Sequence, residues 1–223
     1  MNAETKALSY QEGLKELRSN LEKMLPEEAL RVFDQDAQSL ASNYPSVLKL
    51  HPGDQVPGFS LTNATGEIMA LSELLKKGPV VLTFYRGTWC PYCNLQLNQY
   101  QQLLPEIELF GAQLVAISPQ TPDESLNMRE KNNLRFEVLS DNGNVVARQY
   151  TTVFKNGDAP VAVMRELGID FNAHYSDDSQ ELPVPAVFVI KTNGRVAWAK
   201  ATSGDYRHRV ESSEIINALQ NLK

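Results

Sequence analysis

The chain has 223 residues, 42% of them hydrophobic and 22% charged, proportions that suit one globular domain plus an extension. A net charge of −6 argues against a nucleic-acid partner, whose usual footprint is a basic surface. No stretch approaches the roughly 18 apolar residues of a membrane helix, and Met1-Asn2-Ala3-Glu4-Thr5-Lys6 lacks the basic start and apolar core of a secretory signal, so a cytoplasmic, membrane-free setting is expected.

From 5 to about 24, Leu8, Leu14, Leu17, Leu21 and Met24 fall on one face of a helix. Pro26-Glu27-Glu28 opens a second helix, with acids where the dipole favours them, and Ala29, Leu30, Val32, Phe33, Ala37, Leu40 and Ala41 continue it. These helices form an extension over 1–45, expected to serve packing or homodimer formation, and Asn43-Tyr44-Pro45 bounds it from a domain over 46–223. Pro52-Gly53-Asp54 and Pro57-Gly58 are turns. Phe59-Ser60-Leu61 is a short strand, Asn63-Ala64-Thr65-Gly66-Glu67 a hairpin turn, and 71–75 a short helix that Ser72 is placed to cap.

Val80-Val81-Leu82-Thr83-Phe84-Tyr85 is the continuous apolar and β-branched run of a buried strand, and a helix to about 110 follows it. Buried strands are expected at 112–118 and 136–140, with a helix between them that starts at Thr121-Pro122-Asp123-Glu124 and runs through 131. Another helix covers 144–150. The segment 152–181 is irregular, with loops at 156–160 and 177–179 and a short helix at 162–167. Strands at 185–190 and 196–200 flank the turn Lys191-Thr192-Asn193-Gly194, and a helix at 214–222 closes the chain. Alternating strands and helices followed by a hairpin imply an α/β fold, a mixed central sheet flanked by helices.

The chemistry concentrates in Cys90-Pro91-Tyr92-Cys93, which holds the two cysteines of the chain. Two cysteines placed at random would fall three apart in only roughly 1 such chain in 100, so the spacing asks for a reason. They sit where a strand hands over to a helix, and the free N–H groups and dipole of a helix start stabilise a thiolate. A thiolate attacks disulfides and peroxides. The bland readings are two packed structural thiols or half of a zinc site. A structural zinc needs four ligands, there is no second cysteine pair, and His51, His174 and His208 are isolated in sequence. No metal, flavin or nucleotide cofactor is implied. Arg86 is either a solvated loop charge or a group that lowers a thiol pKa and orients a peroxide oxygen. Trp89 is expected in the apolar surface around the nucleophile; Arg207 and Arg209, near the final strand, are within reach of the site, and a surface role is expected for them.

Four segments in order carry a resemblance: Gly53-Asp54-Gln55-Val56-Pro57-Gly58-Phe59-Ser60-Leu61, Phe84-Tyr85-Arg86-Gly87-Thr88-Trp89-Cys90-Pro91-Tyr92-Cys93, Phe136-Glu137-Val138-Leu139-Ser140-Asp141 and Val184-Pro185-Ala186-Val187-Phe188-Val189-Ile190. Over about 50–222 the chain resembles the thioredoxin superfamily and, within it, the peroxiredoxin-like AhpC/TSA family. The resemblance implies a thioredoxin-like fold. The family usually carries P-x-x-x-T-x-x-C, and here Arg86 stands for the proline, Cys90 for the threonine and Cys93 for the peroxidatic cysteine. Cys-Pro-Tyr-Cys is also the typical glutaredoxin sequence, and Pro185 resembles the cis-proline that faces the dithiol in thioredoxins.

The implied activity is thiol-dependent reduction of hydrogen peroxide or organic hydroperoxides through a Cys90/Cys93 dithiol, with thioredoxin or glutathione as reductant. Likeness to thioredoxin-type sites favours Cys90, at the helix N-cap, as the more exposed nucleophile, whereas the peroxiredoxin register favours Cys93. A thioredoxin- or glutaredoxin-type disulfide oxidoreductase is the rival enzyme class, and a redox-sensing module the non-enzymatic rival.

Overall fold

The computed structural model describes residues 9–222, so Leu8 and the expected helix start at residue 5 lie outside the described residues. Helix α1 (Tyr10–Met24) starts at a capping box, in which Ser9 and Glu12 satisfy each other's backbone N–H groups. Pro26 precedes α2 (Glu27–Asn43), whose first turn carries the two acids. Strands β1 (Ser60–Asn63) and β2 (Ile68–Ala70) form the expected hairpin. Helix α3 (Leu71–Lys77) begins directly after β2, with Ala70 as its N-cap and no side-chain cap bond. Ser72 therefore lies inside the first turn and is not the cap, because the N-cap falls two residues earlier, at Ala70.

Next come β3 (Val80–Phe84), α4 (Pro91–Leu109), β4 (Gln113–Ser118), α5 (Pro122–Lys131) and β5 (Glu137–Ser140). A 3-10 turn leads into α6 (Ala147–Tyr150), then β6 (Val153–Lys155) and α7 (Asp158–Glu166). The chain ends with β7 (Glu181–Pro183), β8 (Val187–Ile190), β9 (Val196–Lys200) and α8 (Ser212–Gln220).

Seven strands form one mixed sheet in the order β2-β1-β5-β4-β3-β8-β9. The β3-β4 and β4-β5 pairs are parallel, and β3-β8 and β8-β9 are antiparallel. Strand β3 is buried on both faces, which explains its unbroken apolar run. Val80, Leu82 and Phe84 join the cluster that α3 and α6 cover. Val81 and Tyr85 join the opposite cluster, with α4, α8 and the N-terminal helices. Helix α1 packs on α4 and α2 on α7, so the extension lies against the face that carries the cysteines.

The segment 152–181 is more ordered than its sequence suggests. Helix α7 begins inside the expected loop at 156–160, since Pro160 falls in the first turn, where its missing N–H costs nothing. Strands β6 and β7 pair in a separate two-stranded sheet, each too short to show a period. Among the described residues no peptide bond is cis, so Pro185 corrects the thioredoxin-based expectation. Its neighbourhood demands no tight turn: Val184 N–H donates to Thr152 O and Ala186 O accepts from Phe84 N–H, which holds the segment extended between β7 and β8.

Candidate functional site

The strand–helix junction places both sulfurs. After Tyr85, whose N–H still donates to Ile117 O, the chain loops through 86–89 and reaches Cys90 in the N-cap position with extended backbone (φ −82°, ψ 111°). Pro91 takes the first helical position, where its fixed φ fits and no N–H is needed. The Cys90 carbonyl accepts from the N–H groups of Cys93 and Asn94, both at 3.1 Å. Cys90 and Cys93 thus share the first turn of α4. Both are free thiols, and each is 0% exposed. Cys90 is therefore not the exposed member of the pair: the N-terminal helices and the segment before α8 close over the helix start.

Two arginines are buried with the thiols. Arg86 is 3% exposed, which removes it from the class of solvated loop charges. Its guanidinium carbon lies 3.8 Å from the Tyr206 ring centre and 4.8 Å from that of Trp89. Arg209 is 4% exposed, contrary to its expected surface position, and its Nη2 approaches Cys93 Sγ at 3.6 Å. Its Nη1 donates to the carbonyls of Tyr206 and His208. Arg209 turns inward because the segment before α8 is pinned to the N-terminal extension. Gly204 N–H donates to Tyr44 O at 2.9 Å, Tyr206 OH donates to Phe33 O at 2.9 Å, and Tyr10 OH donates to Arg207 O at 2.8 Å. A Cβ on Gly204 would stand 2.2 Å from Leu40 O, so only glycine permits this approach. Arg207 does not reach the sulfurs; it pairs with Asp205 at 2.7 Å and with Asp34 at 2.9 Å, and Asp34 also binds Arg18.

The two thiols are electrostatically unequal. Burial pushes the Cys93 thiol up, but four groups outweigh it and hold Cys93 well below the usual thiol range. These are the hydrogen bond from Cys90, the guanidiniums of Arg209 and Arg86, and the Arg86 backbone N–H. Burial, the hydrogen bond to Cys93 and the charge of Cys93 push Cys90 well above that range. These groups favour charge on Cys93 over charge on Cys90.

A further layer fixes the loop. Trp89 Nε1 donates to Tyr175 OH at 2.8 Å, Tyr175 OH donates to Arg86 O at 3.0 Å, and Trp89 packs on Phe171. Residues of 152–181 thus wall the site. Thr88 N–H donates to Gln120 Oε1 at 2.9 Å and Thr88 Oγ1 to Glu124 Oε2 at 2.9 Å; His174 Nδ1 meets the same carboxylate oxygen at 2.7 Å. A Cβ on Gly87 would lie 2.6 Å from Trp89 Nε1, so glycine lets the indole close over the loop.

The structure brings Arg86, Trp89, Cys90 and Cys93 together, while Pro185 is buried across from the end of β3, one residue before Ala186. Sequence reasoning missed Tyr10 and Tyr206 as site residues and preferred the surface for Arg209. The signal available was the basic run Arg207-His208-Arg209 in an acidic chain, which does not reveal which arginine turns inward. Among the described residues no three His, Cys, Asp or Glu side chains gather as metal ligands, and no helix is long and apolar enough to cross a membrane.

A dithiol on the first turn of a helix, fed by a buried strand of a mixed sheet, defines the thioredoxin-like fold. Residues 52–199 match the AhpC/TSA family, and the chain belongs to it. It is similar to the chloroplastic peroxiredoxin Q of Populus jackii, 30% identical over 102 residues, which are 46% of this chain and 47% of the relative. It is also similar to the thiol-disulfide oxidoreductase ResA of Bacillus cereus, 27% identical over 106 residues, 47% of this chain and 60% of the relative. The chain thus spans less than two thirds of the length of either relative. The crystal structure of peroxidoxin BcpB from Mycobacterium tuberculosis shares the fold, with a TM-score of 0.61 and 24% identity over 78% of this chain and 99% of that one.

Proposed function

We propose that the chain is a thiol-dependent peroxidase that reduces hydrogen peroxide or organic hydroperoxides, with Cys93 as the attacking thiolate and Cys90 as the resolving thiol. The observation that carries this reading is the approach of the buried Arg209 guanidinium to Cys93 Sγ at 3.6 Å, with Arg86 buried beside the same pair. The Cys93 thiolate attacks one peroxide oxygen, the O–O bond breaks, and Cys93 becomes a sulfenic acid while an alkoxide or hydroxide leaves and takes a proton. Arg86 Nε is buried with no partner among the described residues, which leaves it free to donate to that leaving oxygen. Cys90 then attacks the sulfenic sulfur, water leaves, and the Cys90–Cys93 disulfide forms. Two external thiol equivalents, from thioredoxin or glutathione, restore the dithiol by exchange.

The test is peroxide consumption by the reduced protein in single turnover, then in steady state with a thioredoxin system and with glutathione. Stoichiometric loss of peroxide with formation of one intramolecular disulfide supports the proposal. The second reading, a disulfide oxidoreductase, draws on the Cys-Pro-Tyr-Cys sequence and the likeness to ResA. Reduction of a model mixed disulfide without consumption of peroxide would replace the first reading by the second.

A further inference from the structure

A cavity of about 420 Å³ opens between the N-terminal helices and the core, with Cys90 and Arg86 on its floor. One wall comes from α1 and α2, through Leu21, Leu30 and Phe33. The other comes from α7 and the turn after it, through Pro160, Met164 and Ile169. The volume falls in the range of roughly 300–1,000 Å³ that small-molecule sites occupy. Hydrogen peroxide needs no such walls. A hydroperoxide with an apolar body fits both ends of the cavity: its body meets the apolar side chains, and its peroxy group meets the Cys90 thiol and the Arg86 guanidinium, next to Cys93, which does not line the cavity but is hydrogen-bonded to Cys90. The buried Arg86, whose Nε has no hydrogen-bond partner among the described residues, marks the polar end. A more open hollow of about 560 Å³ on the other side of α1, around Gly13 and Leu17, is lined by neither cysteine.

We propose that the α1–α2 pair and α7 form the binding site for the apolar body of an organic hydroperoxide, with Phe33 and Met164 as its specificity-determining residues. This rests on the peroxidase reading. It assigns substrate selection to residues outside the helix start: Phe33 comes from the extension, beyond the segment 52–199 that matches the AhpC/TSA family, and Met164 from α7. An unbranched, deformable methionine suits a wall that must fit bodies of different shape.

The experiment measures kcat/KM of the full chain for hydrogen peroxide, tert-butyl hydroperoxide and cumene hydroperoxide, and repeats it for Met164→Trp and Phe33→Ala. The expected result is a rise in kcat/KM with apolar size, by roughly 10-fold or more from the first peroxide to the last. Met164→Trp, which fills the cavity, should cut the ratio of cumene to hydrogen peroxide kcat/KM by about 10-fold, mainly through KM. Equal kcat/KM for all three peroxides, or a ratio that neither variant moves, would overturn the proposal. Should a variant fail to fold, the size series on the unaltered chain decides alone. No turnover of any peroxide would overturn the peroxidase reading itself, a result distinct from equal turnover of all three.

Discussion

The two flanks of the dithiol are built in different ways. One is a continuous stretch, β3 with the loop and first turn of α4, whose order along the chain carries both sulfurs to the helix start while Gln120, Glu124 and Tyr175 brace the loop. The other is gathered from Tyr10, Phe33, Tyr206 and Arg209, which meet only because the N-terminal helices and the segment before α8 fold onto the helix start. The local flank decides where the sulfurs sit. The assembled flank biases charge toward one sulfur, since Arg209 reaches Cys93 and not the N-cap cysteine as a hydrogen-bond partner. A helix N-terminus favours both thiols, so it alone does not distinguish them.

The largest expected effect lies on the local flank. Cys93→Ser should cut peroxide reduction more than roughly 1,000-fold, because the attacking atom is gone. Cys90→Ser should still form a sulfenic acid on Cys93 in one turnover, which a sulfenic-acid probe and mass spectrometry would detect, but no disulfide. The reverse pattern would make Cys90 the nucleophile and void the ranking of the two thiols.

The next effect belongs to the assembled flank. Arg209→Met should slow peroxide reduction near neutral pH by about 10- to 100-fold, because Cys93 loses the cation 3.6 Å from its sulfur and reverts toward a buried thiol. Arg86→Ala should slow it by about 10-fold and slow disulfide exchange less, since the charge that develops on a leaving oxygen is what the guanidinium contacts. Stopped-flow rates with a peroxide and with a disulfide separate the two roles; equal losses for both substrates would confine Arg86 to thiolate stabilisation.

Gly204→Ala probes the connection between the flanks without touching either sulfur. Its Cβ would press on Leu40 O, so we expect a loss of about 1–3 kcal/mol in stability, read by denaturant unfolding. Loosening that contact should also weaken the hold of Arg209 on Cys93. A destabilised variant with unaltered thiolate ionisation would show that the segment before α8 does not position the guanidinium.

The same division separates what the sequence reveals from what it hides. The apolar run at β3, Pro91 in the first helical position and the spacing of Cys90 and Cys93 are local signals, and the fold, the dithiol and its helix start follow from them. Arg86 and Trp89 were within reach for the same reason. Arg209 was not, because its burial depends on Gly204 approaching a carbonyl of α2, a contact between segments far apart in the chain. The exposure expected of Cys90 failed for the same cause, since the covering elements come from elsewhere. In 152–181, three-residue strands and a helix with proline in its first turn leave no period to read.

The measurement that tests the central claim most directly is the ultraviolet titration of thiolate in the Cys90→Ser and Cys93→Ser variants. Serine at 90 can still donate a hydrogen bond to Cys93. An unperturbed thiol ionises near pH 8.5, and the folded Cys93 lies below that value. Ionisation of Cys93 therefore adds stability that is full above about pH 8.5 and is lost as pH falls through the folded pKa. The account predicts that Cys90→Ser keeps a thiolate well below pH 8.5 and loses stability as that thiolate is protonated, while Cys93→Ser shows no such thiolate. A low-pH thiolate in Cys93→Ser and none in Cys90→Ser would contradict it.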